Sequence, residues 1–125
     1  MIPGSERDHP TFAQSFGYAV EGFAEAVRTE RNIKVMLAIG AGALLAGLVL
    51  GIDALSWCIV LLCCGIVIHG ELVNTALEAV VDLASPELHP LAKKAKDIAA
   101  ASVYTLSLMA AVVGIVVYAR ALGLL

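Results

Sequence analysis

The sequence predicts an all-α integral-membrane protein, an amphipathic surface helix followed by three membrane-spanning helices, and three observations lead there. Of its 125 residues, 60% are hydrophobic and only 15% charged, whereas soluble domains are about 45–50% apolar and about 25% charged. The apolar excess is gathered into blocks free of acids and bases, between Lys34 and Asp53, from Ala54 to Ile68 and from Ile98 to Ala119. Ahead of the first block, apolar residues recur at helical spacing with charges opposite them. The length suits one domain, 1–125, and neither an internal repeat nor a low-complexity segment divides it.

Met1–Pro10 carries Glu6, Arg7, Asp8 and two prolines and lacks the apolar core of a cleaved signal peptide, so none is expected. The surface helix is placed at Thr11–Arg31. Phe12, Phe16, Val20, Phe23 and Val27 fall within about 80° of arc, with Gln14, Glu21, Glu25 and Arg28 opposite. Such a helix lies in the membrane interface with its apolar face down. Thr11 followed by Gln14 has the form of a capping box. Glu30 departs from the pattern, because its phase coincides with that of Phe12. On periodicity alone it is either a frayed end turned to water or an acid facing inward.

A membrane span takes about 20 apolar residues, since the hydrocarbon core is about 30 Å thick. The first span is read as Ile33–Leu50, ending at Gly51, with Gly47 and Gly51 spaced for close helix packing. Asp53 is the expected N-cap of the second, Ala54–Leu83, which reaches spanning length only by continuing through Glu71 and Asn74 towards Asp82. Cys58, Cys63 and Cys64 lie in this helix without metal-site spacing and are read as packing residues. Ala84-Ser85-Pro86 breaks the helix, and Pro90 precedes the third span, Leu91–Ala121. Its first turns carry a stripe of small residues, Ala92, Ala95, Ala99 and Ser102. Arg28, Arg31 and Lys34 precede the first span and Lys93, Lys94 and Lys96 the third. The N-terminus and the Ala84–Lys96 connection are therefore expected in the cytoplasm and the C-terminus outside.

The chemistry-bearing stretch is Glu71-Leu-Val-Asn74-Thr-Ala-Leu-Glu78-Ala-Val-Val-Asp82. Its four polar positions share one helix face as a stripe about 16 Å long. Carboxylates there are costly unless a cation balances them, and carboxylate and amide oxygens suit Mg²⁺. The alternative, a helix end emerging into water, suits Asp82 but not Glu71. Lys93 and Lys94 read as contacts to lipid headgroups. Lys96 and Asp97 enter the apolar helix, where a fixed cation could meet phosphate. Glu87 and His89 sit in the connecting loop. The chain has no GxxxxGK loop, no GxGxxG before a helix and no HRD or DFG triplet. Residues alone thus leave two classes open, an ion- or proton-conducting bundle and an enzyme acting on membrane substrates. A conducting bundle needs polar groups through the membrane depth, and Ala54–Ile68 offers no acid or base. A purely structural subunit gives no reason for the stripe.

The run Glu71-x-x-Asn74-Thr75-Ala76-x-Glu78-Ala79-Val80-Val81-Asp82, then His89-Pro90-Leu91-Ala92-Lys93-x-Ala95-Lys96-Asp97, resembles the prokaryotic diacylglycerol kinase family. So does Gly17-Tyr18-x-x-x-Gly22 followed by Glu30-Arg31-Asn32. The resemblance runs from about Ser15 onward, and the His-Pro-Leu-Ala-Lys loop is similar to that of the undecaprenol kinase branch. It implies a homotrimer in the bacterial plasma membrane, with active sites shared between subunits. It further implies transfer of the ATP γ-phosphoryl group to a lipid hydroxyl, that of undecaprenol or, alternatively, diacylglycerol, with Mg²⁺ as cofactor and no nucleic-acid partner. By motif, Glu71 matches the catalytic base, and Glu30 and Glu78 the acidic ligands of ATP-bound Mg²⁺. Tyr18, Glu87, His89, Lys96 and Asp97 match nucleotide-contacting positions, and Asn74 and Asp82 line the same site. An inward-facing Glu30 follows from that match. Thr11 stands near where the diacylglycerol branch has a basic residue, and the tryptophans of that branch's surface helix are absent.

Overall fold

The computed structural model describes residues 9–125; Met1–Asp8, within the segment read as carrying no signal peptide, lie outside the described residues. The described chain forms four helices, α1 (Phe12–Thr29), α2 (Arg31–Leu50), α3 (Ala54–Ala84) and α4 (Pro90–Ala121). The last three are long and apolar enough to cross a membrane.

Local chemistry sets each boundary. Thr11 caps α1, its hydroxyl accepting from the Gln14 amide at 3.3 Å while the Gln14 side chain accepts from the Thr11 amide at 2.8 Å. The surface helix stops at Thr29, short of the expected Arg31, because Glu30 takes an extended conformation (φ −102°, ψ 115°) and turns the chain. Arg31 and Asn32 thus belong to α2. Lys34 Nζ donates to the Arg28 carbonyl at 3.2 Å, tying the last turn of α1 to the first turn of α2. Gly51 ends α2 in the left-handed region (φ 62°), which glycine adopts without a Cβ penalty. Asp53 caps α3 through Ser56, and the Ser56 amide holds its carboxyl below the ordinary value. His89 caps α4, its Nδ1 accepting from the Leu91 amide at 3.1 Å, and Pro90 occupies the first helical position, where it has no hydrogen bond to lose.

The helices pack around α3, most closely with α4, then with α2; α1 touches both α2 and α3. At the α2–α3 turn, Ile52, Val60 and Val117 form a buried cluster flanked by Leu44, Trp57 and Val113. Gly47 packs there, and a Cβ on it would sit 2.9 Å from the Trp57 ring. Gly51 faces open space, so the expected Gly47–Gly51 packing pair is corrected: Gly47 makes the close approach and Gly51 makes the turn. The small-residue stripe on α4 is also corrected. Ala99 is buried and Ala92 half-buried, but Ala95 and Ser102 are exposed, and the packed face runs through Lys96 and Val103 instead. The three cysteines are unpaired thiols.

Candidate active site

The polar stripe of α3 grades from the protein interior to water. Glu71 is 4% exposed and is the buried charged residue of the described chain. Asn74 and Glu78 are half-buried, and Asp82 is exposed. Solvation therefore explains Asp82 and does not explain Glu71. Two features bury Glu71. Gly70 beside it lets α4 come close, since a Cβ there would lie 2.7 Å from Leu106 Cδ1. The α1–α2 bend also packs on this side, with Ala26 and Ile33 buried around the joint.

That bend brings Glu30 to the stripe. Glu78 follows Glu71 two turns along the same face of α3, and Glu30 stands at the α1–α2 joint, whose helices both pack on α3. Glu30 is half-buried, and its side chain makes no capping bond at the start of α2. It is a fixed joint between two helices and not a frayed end. Asn74 Nδ2 donates to Glu78 Oε1 at 3.3 Å, while Asn74 Oδ1 is buried without a hydrogen-bond partner among the described residues. An unsatisfied amide oxygen costs free energy unless a donor or cation meets it. Thr75 donates to the Glu71 carbonyl at 3.0 Å, an i, i+4 bond that leaves the Glu71 side chain uncommitted.

Most of the remaining candidates lie around the C-terminal end of α3 and the N-terminal end of α4. Lys96 Nζ pairs with Asp82 Oδ1 across the two helices, and Lys93 pairs with Asp97 one turn along α4. Lys96 thus has a carboxylate partner on the stripe, and Lys93 is a partner for Asp97 as well as a surface cation. Ser85 Oγ donates to the Glu87 carbonyl at 3.0 Å, shaping the loop that leads to His89. Tyr18 stands 40% exposed on α1. The structure therefore sets Glu71, Asn74 and Glu78 on one face of α3 with Glu30 at the adjoining α1–α2 joint, joins Asp82 to Lys96, and leaves Tyr18, Glu87 and His89 without a side-chain bond to these residues among the described residues. Gly70 carried no signal in the sequence, because what makes it important is a neighbour on another helix.

No three His, Cys, Asp or Glu side chains converge as a ready metal cage among the described residues. A divalent ion held by hard oxygens here would draw part of its coordination from phosphate, as Mg²⁺ commonly does. Glu30, Glu78 and the free Asn74 oxygen fit that role in donor type.

The family model for prokaryotic diacylglycerol kinase matches residues 17–118. The chain is 36% identical over 107 residues to an undecaprenol kinase of Bacillus subtilis, covering 86% of this chain and 87% of the relative. A diacylglycerol kinase of Synechocystis is 38% identical over 106 residues, 84% of this chain and 61% of that protein. One from Helicobacter pylori is 29% identical over 101 residues, 81% of this chain and 79% of the relative. The matched span contains α2 and α3, α4 as far as Tyr118, the Glu30 joint and the whole α3 stripe. With a buried carboxylate on a membrane helix and further acids beside it, this chain belongs to the prokaryotic diacylglycerol kinase family and is an ATP-dependent kinase of membrane lipids.

Proposed function

We propose that the chain phosphorylates undecaprenol at the cytoplasmic face of the bacterial plasma membrane, with Glu71 as general base. The observation that carries this is the burial of Glu71 on the face of α3 that also bears Asn74, Glu78 and Asp82. A lone acid gains nothing there; a base that must meet a lipid hydroxyl does. The Glu71 carboxylate takes the hydroxyl proton as the lipid oxygen forms its bond to the γ-phosphorus. The bond from that phosphorus to the β–γ bridging oxygen breaks, and ADP leaves with its electron pair. Phosphoryl transfer asks the protein mainly for positioning and charge neutralisation. Glu30 and Glu78 would hold Mg²⁺, which supplies the positive charge the phosphates need. Asn74 offers its free amide oxygen to the same group. Lys96 exchanges its Asp82 partner for phosphate when nucleotide arrives, and Tyr18, Glu87, His89 and Asp97 contact the nucleotide.

The undecaprenol assignment is supported by the His89-Pro90-Leu91-Ala92-Lys93 loop and by the likeness to the Bacillus subtilis undecaprenol kinase. Residues 1–125 act as one domain. The exposed Phe12, Phe16, Val20 and Phe23 support α1 as an amphipathic helix lying in the interface. The bases before α2 and α4 support a cytoplasmic N-terminus and active site. A homotrimer with shared sites follows from the family resemblance. The test is phosphate transfer from radiolabelled ATP by the purified protein to undecaprenol, diacylglycerol and ceramide, with and without Mg²⁺. Label on diacylglycerol alone would reassign the substrate, and label without added divalent cation would remove the metal role.

A further inference from the structure

The break at Glu30 removes part of a helix ladder. In an unbroken helix the Arg28 carbonyl would accept from the Asn32 amide, four residues on. Because Glu30 is extended, α1 ends at Thr29 and α2 starts at Arg31, and that bond is not made. Lys34 Nζ takes its place, donating to the Arg28 carbonyl at 3.2 Å. A second relationship concerns Lys34 itself. It follows Glu30 by four residues, the spacing at which a glutamate and a lysine pair along a helix. The two form no ion pair, and the ammonium group is turned to the carbonyl instead. The Arg28 guanidinium is engaged elsewhere, with Glu25. The joint is also held from two sides. Ile33, fully buried, fixes the first turn of α2 against the interior, while exposed Lys34 ties that turn back to α1. α1 has little other anchorage in the protein: Ala26 is its buried residue, and Phe12, Phe16 and Val20 are exposed. The setting of Glu30 thus depends on a few contacts within a turn or so of it.

We propose that Lys34 is a positioning residue for Glu30. Its bond to the Arg28 carbonyl locks the α1–α2 joint and keeps the ammonium group off the carboxylate, so that Glu30 meets the metal–nucleotide complex in place and unpaired. This inference rests on the reading of Glu30 as a ligand of Mg²⁺. The anchor is chemically apt, because the last carbonyls of a helix lack backbone partners and lysine side chains satisfy them. Paired with Lys34, Glu30 would have to give up that partner before taking a divalent ion. Held apart from it, Glu30 keeps its charge for the metal. Lys34 therefore acts in two opposite senses. Its charge disfavours a divalent cation nearby, whereas its hydrogen bond orders a ligand for one. An exposed charge is screened by water and salt and counts for little. Loss of a group that orients a metal ligand commonly costs about 10–100-fold in affinity. The ordering effect is the larger.

Lys34→Met removes the donor and keeps the apolar stem, and Lys34→Arg restores a donor. The first readout does not depend on turnover. The Mn²⁺ complex of the β,γ-methylene analogue of ATP is titrated by calorimetry into the full chain in phosphatidylcholine nanodiscs, beside the same nucleotide without metal. Lys34→Met should weaken the metal complex about tenfold, the low end for loss of an orienting group. The metal-free nucleotide should bind as it does to the wild type, and Lys34→Arg should restore the metal complex. In turnover, Lys34→Met should raise the Mg²⁺ needed for half-maximal rate, with kcat at saturating Mg²⁺ and the KM for lipid unchanged. Because Lys34 acts through Glu30, Lys34→Met should add nothing to the effect of Glu30→Gln. Unchanged or tighter binding of the metal complex by Lys34→Met would overturn the inference; tighter binding would leave Lys34 as a charge alone. Weaker binding of the metal-free nucleotide, or a further loss in the double variant, would overturn it too, by making Lys34 a direct phosphate contact. Glu30→Gln with wild-type affinity for the metal complex would instead overturn the reading of Glu30 as a ligand, and this inference with it.

Discussion

Asn74 donates through Nδ2 to Glu78 Oε1 at 3.3 Å and keeps its own buried Oδ1 without a partner among the described residues. The amide thus orients one carboxylate oxygen of Glu78 and presents an acceptor beside it. Two hard oxygens from one helix turn, with Glu30 at the α1–α2 joint, are the donor type that the proposed Mg²⁺ would use. Glu71, one turn deeper and better buried, is set apart from them by solvation. Separate environments for neighbouring acids are how one site obtains both a base and a metal ligand.

Glu71→Gln keeps the volume and hydrogen-bonding capacity of the side chain but cannot take a proton. Turnover should fall about 10²–10⁴-fold, the usual contribution of a positioned base. Thermal stability should be unchanged or slightly higher, because a buried charge beside two others is removed. Single-turnover phosphate transfer, together with a melting curve in detergent, checks both parts. Wild-type transfer by this variant would exclude Glu71 as the base.

Glu30→Gln and Glu78→Gln should each raise the Mg²⁺ concentration required for half-maximal rate, with little change in the KM for lipid. Removing one of two anionic ligands from a site completed by phosphate weakens the metal while leaving the acceptor contacts alone. The Asn74→Ala variant should act in the same direction but less strongly, since it removes a neutral oxygen and the bond that orients Glu78. Mg²⁺ titrations at saturating ATP read this directly. A Glu30→Gln variant with unaltered metal and nucleotide dependence would confine Glu30 to shaping the joint.

The Lys96–Asp82 pair crosses between helices with side chains 39% and 65% exposed, so solvent screens it and its worth to stability is small. In the proposed function it holds a cation ready for the nucleotide phosphates. Lys96→Gln should raise the KM for ATP about tenfold, the low end for a charge-assisted contact. Asp82→Asn leaves Lys96 charged and unpaired, and should lower the KM for ATP or leave it unchanged. Steady-state kinetics at fixed lipid distinguish the two. A raised KM for ATP in Asp82→Asn would make Asp82 itself part of the nucleotide contact.

Much of this architecture was legible in the residues, for local reasons. Thr11 with Gln14, Asp53, Gly51 and Pro90 act within a turn of their own helix ends, and the α3 stripe follows from helical periodicity. What escaped depends on residues far apart in the chain. Gly70 matters because of Leu106, Lys96 because of Asp82, and the apolar cleft between α2 and α4 because both helices pack mainly on α3. The α4 stripe misled for a related reason. Ala95 and Ser102 are small, but the face turned to α3 passes through Lys96 and Val103, and size alone does not reveal which way a helix faces. The odd phase of Glu30 is visible in the sequence and the family resemblance gives it an inward-facing reading, whereas the helix break at Glu30 shows only in its extended backbone.

Asp53 gives the fold an acid-sensitive cap. Its Oδ1 accepts from the Ser56 amide at 2.8 Å, and that backbone bond lowers the carboxyl's pKa on folding. A depressed folded value means the stabilisation is complete above the unfolded pKa and is lost as pH falls through the folded one. Asp53→Asn keeps an acceptor at the cap and does not titrate. The melting temperature of the wild type should therefore drop more steeply on acidification than that of Asp53→Asn. Parallel curves would remove Asp53 from the acid response.

Undecaprenol should be preferred to diacylglycerol. The sequence reasons are the His89-Pro90-Leu91-Ala92-Lys93 loop and a surface helix whose apolar face is built from Phe12, Phe16, Val20 and Phe23 without tryptophan. The relative named undecaprenol kinase aligns over 86% of this chain, in keeping with that preference. Both lipids must bring a hydroxyl to Glu71 at the same depth, so the headgroup chemistry separates them little. The difference falls on the hydrocarbon, where apolar contacts discriminate weakly, and some phosphorylation of diacylglycerol is expected. The preference should then appear as a ratio of kcat/KM values above one, not as exclusion. Competition between the two lipids at matched mole fraction in mixed micelles measures that ratio without separate KM determinations. A ratio favouring diacylglycerol would overturn the acceptor and leave the roles proposed for Glu71, Glu30 and Glu78 standing, because the hydroxyl is common to both lipids and the phosphates are those of ATP.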